Sequence, residues 1–353
     1  MAKNGRVVQL IKCVRPVIDL SDKSLEYRLW HDKIPNYLAS GLADTTENSY
    51  YLAFCKYKMF CHENGEQPLP VKKDTLMVYF VKLIESKQSV NPVLMARSAI
   101  KHYHLLAQPS LQCPTDSPDV SLLINSFKRK YTKPVCKKLP ITVDIVKSLI
   151  HLFLGDDILR SYGYQKSVLV WRGVIKTIFK FVTFARFEEA VQLKLSNLKL
   201  LPSGDIEVSF PKGKNYQFHE ARKVVIAKTG SLYCPVKLIL NYTKVLNYKV
   251  KDGFFLPSVR LVGTVYVPDP SSAVSYRSSL QQYREMLLAI GEDPALYGEH
   301  SDRSGGLSTA ANSGQCSWDQ MRQHGRWSSD SAPKMYFKPS LKYRKVTSLS
   351  LKF

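Results

Sequence analysis

The sequence predicts a two-domain, mainly α protein, in which an N-terminal helical domain precedes an α+β domain with a small antiparallel sheet. A chain of 353 residues is longer than one ordinary hydrophobic core requires. Apolar residues recur at helical spacing up to about residue 133, whereas three short strand-like runs follow a strongly apolar segment in the second half. We place the boundaries as follows: a flexible basic arm at 1–26, the helical domain at 27–133, a basic linker at 134–141, the second domain at 142–345 and a tail at 346–353.

The helical domain is predicted from start and stop signals. Asp44-Thr45-Thr46-Glu47 resembles a capping box, and Asn64-Gly65 is a stop signal twenty residues later. Apolar residues between these signals recur at three and four spacing and form one buried face. Further helices are expected at 74–86, from Pro92 to before Pro109, and at 118–131. The domain is therefore expected to be a bundle of four or five helices.

A basic run ends this domain. Six cations fall within eleven residues, and Pro134 and Pro140 make the stretch extended. The run can be an ordinary solvated linker, but we favour a strap that lies against a DNA backbone. A nuclear-import role is a further reading. The candidate DNA contacts in the run are Lys128, Arg129, Lys130, Lys133, Lys137 and Lys138.

The second domain starts at Thr142, which is placed to cap a helix. Residues 166–184 form a helix that is apolar all round, which implies burial at the centre of the domain. Three strand-like runs follow and predict the small sheet. We expect further helices at 235–247 and 278–290, and a long loop rich in Pro, Gly and Ser at 249–277. The strand-like runs are 197–201, 206–210 and 223–227.

Charge and composition narrow the class of partner. The chain has 51 Lys and Arg against 29 Asp and Glu, for a formal net charge of +22. This excess favours a polyanionic partner. No run of about 18 apolar residues appears, so we expect no membrane span, and the N-terminus lacks the apolar region of a signal peptide. The 7 scattered cysteines form no Cys-x-x-Cys pair, which indicates reduced thiols of an intracellular protein and no metal site.

The residues with the clearest chemistry lie between 300 and 336. His300 and Arg303 are three apart, so at a helix start they point the same way. Trp327 follows, and Tyr336 comes nine residues after it. This stretch supplies a proton-transfer group, a phosphate-binding guanidinium, an aromatic N–H donor and a phenol nucleophile. Together these groups suit metal-free attack on a phosphodiester.

Arg186 extends this set from the other side of the domain. Glu189 follows it by three residues, so the carboxylate can orient the guanidinium at the end of the apolar helix. By itself such a pair would be a surface ion pair. Its position between an apolar helix and a predicted β-hairpin favours a functional role.

These residues resemble the signature of the tyrosine recombinases, the phage-integrase family. The motifs match over residues 140–340, whereas residues 24–133 resemble the SAM-like core-binding domain of the family only in size and helicity. Arg-Ser-Gly-Gly and His-Gly-Arg-Trp are closest in wording to the recombinases of eukaryotic DIRS- and Ngaro-type retroelements. Trp327 stands where most members have His, and it would donate its indole N–H to a phosphate oxygen. The family lysine on the hairpin turn is Lys212 or Lys214, with Lys212 ahead and Lys214 otherwise a DNA contact.

The resemblance implies a mechanism. Arg186 and Arg303 would bind the non-bridging oxygens of the phosphate as negative charge grows. Tyr336 would attack phosphorus, with His300 as the base or as its hydrogen-bonding aid. The hairpin lysine would protonate the leaving 5′-oxygen. The product would be a 3′-phosphotyrosine and a free 5′-hydroxyl, and no metal, ATP or other cofactor is expected.

Three neighbouring features are weaker candidates. Ser304, with Gly305 and Gly306, resembles a tight helix start at which backbone N–H groups approach a phosphate, so Ser304 is a candidate DNA contact. Tyr343 is a rival nucleophile whose spacing in the chain does not fit the family. His324 lies near the site and is expected to be a structural polar group.

The expected function is site-specific DNA recombination or integration, encoded by a mobile element. The expected partner is double-stranded DNA, bound by a homotetramer that forms from free monomers. A type IB topoisomerase uses the same residue types, so DNA relaxation is one alternative. The other is a domesticated protein that binds DNA without cutting it, against which the intact residue set argues. The basic run and the eukaryotic resemblance predict a nuclear location.

Overall fold

The chain forms two compact units, Met1–Val135 and Cys136–Phe353, and each has its own apolar core. The computed structural model describes residues 5–15, 17–108, 110–132, 137–155, 163–211, 222–248, 250 and 252–350. Both units are mainly helical, and the second contains small antiparallel sheets. The predicted fold class is thereby confirmed. None of the described helices is long and apolar enough to cross a membrane.

The first unit is a helical bundle with an aromatic core. Phe54, Tyr57, Tyr79, Phe80 and Tyr103 are each at most 4% exposed, and the ring centroids of Phe54 and Tyr103 lie 4.5 Å apart. Such ring pairs add about 1 kcal/mol beyond the area they bury. The four predicted helices are confirmed as α4 to α7. The helices are α1 (Gly5–Val14), α2 (Leu25–His31), α3 (Ile34–Ala39), α4 (Asp44–Glu63), α5 (Lys73–Lys87), α6 (Val90–Ala107) and α7 (Pro118–Tyr131).

The N-terminal residues differ from the expected flexible arm. Residues of α1 that recur at helical spacing, Val7, Leu10 and Ile11, are buried in the core of the first unit. These short apolar pieces form one stripe only when they are wound on a helix, and burial of that stripe fixes the segment. The helix α2, in contrast, has no buried residue.

The second unit is built around one helix. Val174, Ile175, Ile178 and Phe179 of this helix are each at most 3% exposed, which confirms the predicted buried helix. Complete burial of such side chains contributes about 2 kcal/mol each. The helices of the unit are α8 (Val143–Leu154), the central α9 (Gly163–Thr183), α10 (Phe187–Val191), α11 (Pro235–Leu246), α12 (Tyr276–Ala289), α13 (Ser301–Ser313), α14 (Trp318–His324), α15 (Ser331–Tyr336) and α16 (Leu341–Ser350).

The three predicted strands are confirmed as an antiparallel sheet in the order β1 (Leu198–Leu200), β2 (Ile206–Phe210) and β3 (Arg222–Ile226). Ile206, Val208 and Phe210 alternate along β2 and point into the core. The hairpin between β2 and β3 carries Lys212 and Lys214, and both lysines lie outside the described residues.

The predicted loop at 249–277 is wrong over most of its length. The structure has a second hairpin there, formed by β4 (Pro257–Val262) and β5 (Val265–Ala273). The turn contains Gly263, whose φ of +62° suits a tight reversal. The prolines that indicated a loop lie on strands of a two-stranded sheet. Each strand there has one unpaired edge, at which a residue without a backbone N–H breaks no hydrogen bond.

The basic segment divides between the two units. Lys128, Arg129 and Lys130 are exposed in the last turn of α7, and Lys133 lies outside the described residues. Residues 137–141 are extended, with Lys137 and Lys138 exposed. They are not a free linker, because backbone N–H groups of Leu139 and Ile141 donate to Leu296 O (2.8 Å) and Ser301 O (3.1 Å). Lys138 also donates to the carbonyl oxygen of Ala295.

Candidate active site

The first candidate arginine lies in the turn after the central helix. Helix α9 ends at Thr183, and Phe184 has a φ of +50°, which reverses the chain into α10. The backbone N–H of Arg186 donates to Glu189 Oε2 at 3.0 Å, and its Nη1 donates to Glu189 Oε1 at 2.6 Å. The same carboxylate therefore caps α10 and orients the guanidinium. The Arg186 side chain remains 16% exposed.

Glu189 is shared by three arginines. Besides Arg186, its Oε2 accepts from Arg326 Nη2 at 3.0 Å and lies 3.7 Å from Arg303 Nη1. Burial raises the pKa of this carboxyl, but the charges of Arg326 and Arg303 outweigh burial and hold the pKa below its usual value. Glu189 is therefore ionised at neutral pH and compensates a cluster of positive charge.

Arg303 is the central member of the cluster and is fully buried. Its Nη1 donates to Phe184 O and its Nη2 donates to Gly325 O at 2.9 Å, so it joins two distant turns. Its guanidinium carbon lies 4.0 Å from the centroid of the Trp327 ring. Burial and the charge of Arg186 lower the pKa of Arg303 to about 9, which leaves it protonated at neutral pH.

Tyr336 ends helix α15 and meets the other candidates. Its ring centroid lies 6.0 Å from that of His300 and 5.8 Å from that of Trp327. The guanidinium carbon of Arg303 is 5.2 Å from the same ring. The phenol is half-buried. The structure thus brings Tyr336, His300, Arg303 and Trp327 together, and Glu189 links them to Arg186.

His300 is the residue before α13 and is exposed. Partial desolvation of the ring, together with the positive charges of Lys180, Arg303 and Arg186, lowers the pKa of His300 below its usual value. The imidazole is therefore mainly neutral at pH 7. A neutral imidazole can accept a proton, whereas an imidazolium cannot.

A ladder of polar side chains on α13 holds the segment that bears Tyr336. Ser304 Oγ donates to the carbonyl oxygen of Tyr336 at 2.6 Å, and Ser308 Oγ accepts from the Lys338 N–H at 2.9 Å. Asn312, one turn further on, donates to Lys338 O at 3.0 Å. Ser304 is 8% exposed and its hydroxyl donates to Tyr336 O, so its observed contact is internal, and the DNA contact expected for it stays a prediction.

If Tyr336 is the nucleophile that the sequence predicts, loss of one of these hydrogen bonds is expected to slow its reaction. Ser304→Ala removes one hydrogen bond, worth about 1 kcal/mol, from the docking of the segment. Covalent attachment to DNA should then slow roughly fivefold, with DNA affinity unchanged. Rates of adduct formation and binding isotherms would measure both quantities. Ser313→Ala, at an exposed position near the end of α13, is the control, and an equal rate in the two variants would contradict the assignment.

The glycines near Arg303 serve packing in the structure. A Cβ on Gly305 would lie 2.2 Å from Ile141 O, and one on Gly306 would lie 2.0 Å from Phe181 O. Only glycine therefore lets α13 approach α9 and the extended segment. This contact, and not the expected approach of backbone N–H groups to a phosphate, accounts for both residues.

His324 and Tyr343 lie at the edges of this cluster. His324 Nε2 donates to Val182 O at 2.8 Å, and burial lowers the pKa of the ring. This contact fits the structural role expected for His324. Tyr343 lies on α16, is 42% exposed and packs edge-on against Phe337 at 5.0 Å between centroids.

Arg326 belongs to the cluster but is absent from the residues selected from the sequence. It is fully buried, has a φ of +57°, and donates to Thr183 O and His324 O, both at 3.0 Å. Its guanidinium carbon lies 3.9 Å from the ring of Phe210, at the end of β2. The signal for it was its place within the His-Gly-Arg-Trp motif, next to Trp327.

No group of three His, Cys, Asp or Glu residues in the described ranges is arranged to hold a metal ion. The described part of the cluster instead provides cationic donors. Trp327 Nε1 and Arg303 Nε are buried and have no acceptor among the described residues. Buried donors of this kind cost about 1–3 kcal/mol each unless a ligand supplies an acceptor. The arrangement therefore suits an anionic group with several oxygens.

Comparisons with known proteins give no match among protein-family models or curated proteins. Solved structures do match. The XerH site-specific recombinase, bound to palindromic difH substrate in a post-cleavage complex, has a TM-score of 0.60 at 12% identity and covers 95% of this chain and 91% of its own. The Tn1549 transposon integrase, in complex with circular intermediate DNA, has a TM-score of 0.52 at 11% identity, with coverages of 97% and 98%.

A lambda integrase dimer bound to a COC′ core site is similar as well, with a TM-score of 0.55 at 14% identity over 89% of this chain and 96% of the other. At such identities the similarity concerns the fold. The order of elements agrees with it, since a helical unit precedes a helical unit with small antiparallel sheets. The chain therefore has the tyrosine recombinase fold.

Proposed function

We propose that the chain is a site-specific DNA recombinase or integrase that cuts and rejoins duplex DNA through a 3′-phosphotyrosine intermediate. The observation that carries the proposal is the meeting of one phenol, one imidazole and two guanidiniums from separate parts of the sequence. Tyr336 lies 6.0 Å from His300 between ring centroids and 5.2 Å from the guanidinium carbon of Arg303. Glu189 connects Arg303 to Arg186. The fold supports the same reaction class.

The first chemical step would be attack by Tyr336 on a phosphodiester. The phenol O–H bond breaks, its proton passes to a nitrogen of His300, and the phenolate oxygen bonds to phosphorus. The 5′-oxygen leaves with the bonding electrons and takes a proton from the hairpin lysine, Lys212 or Lys214. A 5′-hydroxyl of the partner strand then reverses the attack. Because the phosphotyrosine ester retains the energy of the broken bond, the exchange needs no ATP.

The two arginines would act at different moments. Arg186 has the accessible guanidinium and would contact the scissile phosphate first. Arg303 lies under the rings of Tyr336 and Trp327, so it would reach the phosphate once the Tyr336 ring moves toward phosphorus. The unpaired N–H groups of Arg303 and Trp327 would then donate to phosphate oxygens.

The partner in this proposal is double-stranded DNA, in line with the net charge of +22 and the fold. Exchange between two duplexes requires four strand cuts, so the active assembly would be a homotetramer assembled from monomers. A mobile element is the proposed origin, because the motifs resemble DIRS- and Ngaro-type recombinases and one structural neighbour is a transposon integrase. A nuclear location is proposed with that origin.

The test begins with the selection of DNA sites by affinity from a random pool. A plasmid that carries two copies of a selected site is incubated with the protein in EDTA, and the reaction is quenched with detergent. We expect protein-linked nicks and exchange of the DNA that flanks the two sites. Proteolysis and mass spectrometry of the adduct should locate the nucleotide on Tyr336.

The same experiment separates the alternatives. Relaxation without exchange of flanking DNA would favour a type IB topoisomerase. Salt-sensitive binding without any covalent adduct would favour a DNA-binding protein that does not cut. An adduct on Tyr343, or one that requires a metal ion, would overturn the proposed mechanism.

A further inference from the structure

A buried network of four charged residues lies behind His300. Helix α9 carries Lys176 and Lys180, which are one turn apart, and both are at most 3% exposed. Glu299 and Asp302 lie on either side of His300 in the chain and are at most 4% exposed. Each ammonium lies within ion-pair distance of a carboxylate. Buried charges are costly unless they are paired, so the pairing fixes the relative position of α9 and the start of α13.

Lys180 holds the backbone on both sides of His300. Its Nζ donates to the carbonyl oxygen of Glu299 and to Glu299 Oε2, each at 2.5 Å, and it lies 3.0 Å from Asp302 Oδ2. Two of the three N–H donors of the ammonium are therefore used on Glu299, and Asp302 adds an ion pair. Because the Glu299 carbonyl belongs to the peptide that precedes His300, Lys180 acts directly on the backbone of that residue.

Lys176 anchors the far end of the network. Its Nζ donates to Glu299 Oε1 and Ser279 Oγ at 2.8 and 2.9 Å. Lys176 contacts the Glu299 carboxylate only, whereas Lys180 also contacts the backbone next to His300. Tyr283 completes the network by donating to Asp302 Oδ1 at 2.7 Å. The two lysines are thus alike in burial, charge and helix but differ in what they hold.

We propose that Lys180 is a positioning residue for the cleavage reaction, which binds the backbone next to His300 and so holds the His300 ring beside Tyr336. This inference rests on the proposed function and names a part of its machinery. The ring of His300 lies 6.0 Å from that of Tyr336 between centroids. Besides Tyr336, the groups that act on His300 are Lys180, Arg303, Arg186 and Glu299.

The electrostatic part has a definite sign. Desolvation and the charge of Lys180 both lower the pKa of His300, and Glu299 opposes them. Removal of the Lys180 ammonium makes the imidazolium less unfavourable, so the pKa of His300 should rise. Proton acceptance from Tyr336 would then require a higher pH.

The test measures His300 directly and needs no DNA. Full-length protein labelled in histidine is titrated by NMR, and the His300 signal is identified by its loss in His300→Gln. In Lys180→Gln we expect the His300 titration to move to higher pH, and in the matched control Lys176→Gln we expect a smaller change. No change in Lys180→Gln, or equal changes in the two variants, would overturn the proposal.

A second variant keeps the test decisive if Lys180→Gln fails to fold. Lys180→Gln combined with Asp302→Asn removes one buried charge of each sign, and circular dichroism verifies the fold. A smaller rise in the His300 titration is expected, because loss of the Asp302 carboxylate partly offsets loss of the Lys180 ammonium, and a fall in the titration counts against Lys180. In a separate arm, the acidic limb of adduct formation should move to higher pH. If the wild-type protein forms no adduct, the proposed function fails, while the titration still decides whether Lys180 acts on His300.

Discussion

Tyr336→Phe is expected to abolish covalent attachment to DNA and to leave DNA binding intact. The variant keeps the ring that packs against His300, Trp327 and Arg303 and loses only the oxygen that would bond to phosphorus. Without the nucleophile the rate should fall by a factor on the order of 10⁴ or more. Binding should change little, because contacts of basic side chains with phosphates provide most of the affinity. Adduct yield on denaturing gels and binding isotherms would measure the two effects.

Tyr343→Phe is the matched control for this experiment. Tyr343 is the tyrosine that follows Tyr336 in the chain. It lies on α16, is 42% exposed, and its ring contacts that of Phe337. The Tyr343→Phe variant should form adducts at the wild-type rate. The opposite pattern, with activity kept in Tyr336→Phe and lost in Tyr343→Phe, would transfer the nucleophile to Tyr343 and separate it from the arginine cluster.

Much of the fold follows from local patterns in the sequence. The stop signal Asn64-Gly65 locates the end of α4, although the predicted capping box is not formed because Ala43 is the N-cap. The predicted helix at 118–131 coincides with α7, and the predicted strand at 206–210 coincides with β2. The errors occur where tertiary contacts determine the secondary structure. The helix α1 depends on burial of a short stripe against the first unit, and the hairpin of β4 and β5 contains prolines that local rules assign to loops.

The candidate site was only partly predictable from sequence, for a similar reason. Motif spacing selects Arg186, His300, Arg303, Trp327 and Tyr336, and the structure brings these residues together. Motif spacing does not select the residues that support them, because a supporting contact is recognised by burial and distance, and spacing in the chain gives neither. A recognisable signal was present in α9, where Arg172, Lys176 and Lys180 recur every four residues on a mostly apolar helix. Charges on a buried helix require partners.

Glu189→Gln is expected to weaken both the fold of the second unit and the reaction. The substitution keeps the shape of the side chain but removes its charge, while three guanidiniums remain around it, those of Arg186, Arg303 and Arg326. The amide also turns one acceptor into a donor, which then faces a guanidinium. Removal of one partner from buried ion pairs costs on the order of 3–5 kcal/mol. Thermal unfolding should therefore shift down by roughly 10 °C.

The control and the pH dependence of this loss distinguish charge compensation from packing. Glu188→Gln changes the exposed neighbouring carboxylate and should leave unfolding and adduct formation near wild type. The pKa of Glu189 is held below its usual value, so its ionised form stabilises the fold above the usual carboxyl pKa and loses this effect as the pH falls through the lowered pKa. The difference between wild type and Glu189→Gln should accordingly be full at neutral pH and shrink in acid. A difference that does not depend on pH would mean that Glu189 does not act through its charge, and Arg186 and Arg303 would then need another counter-charge.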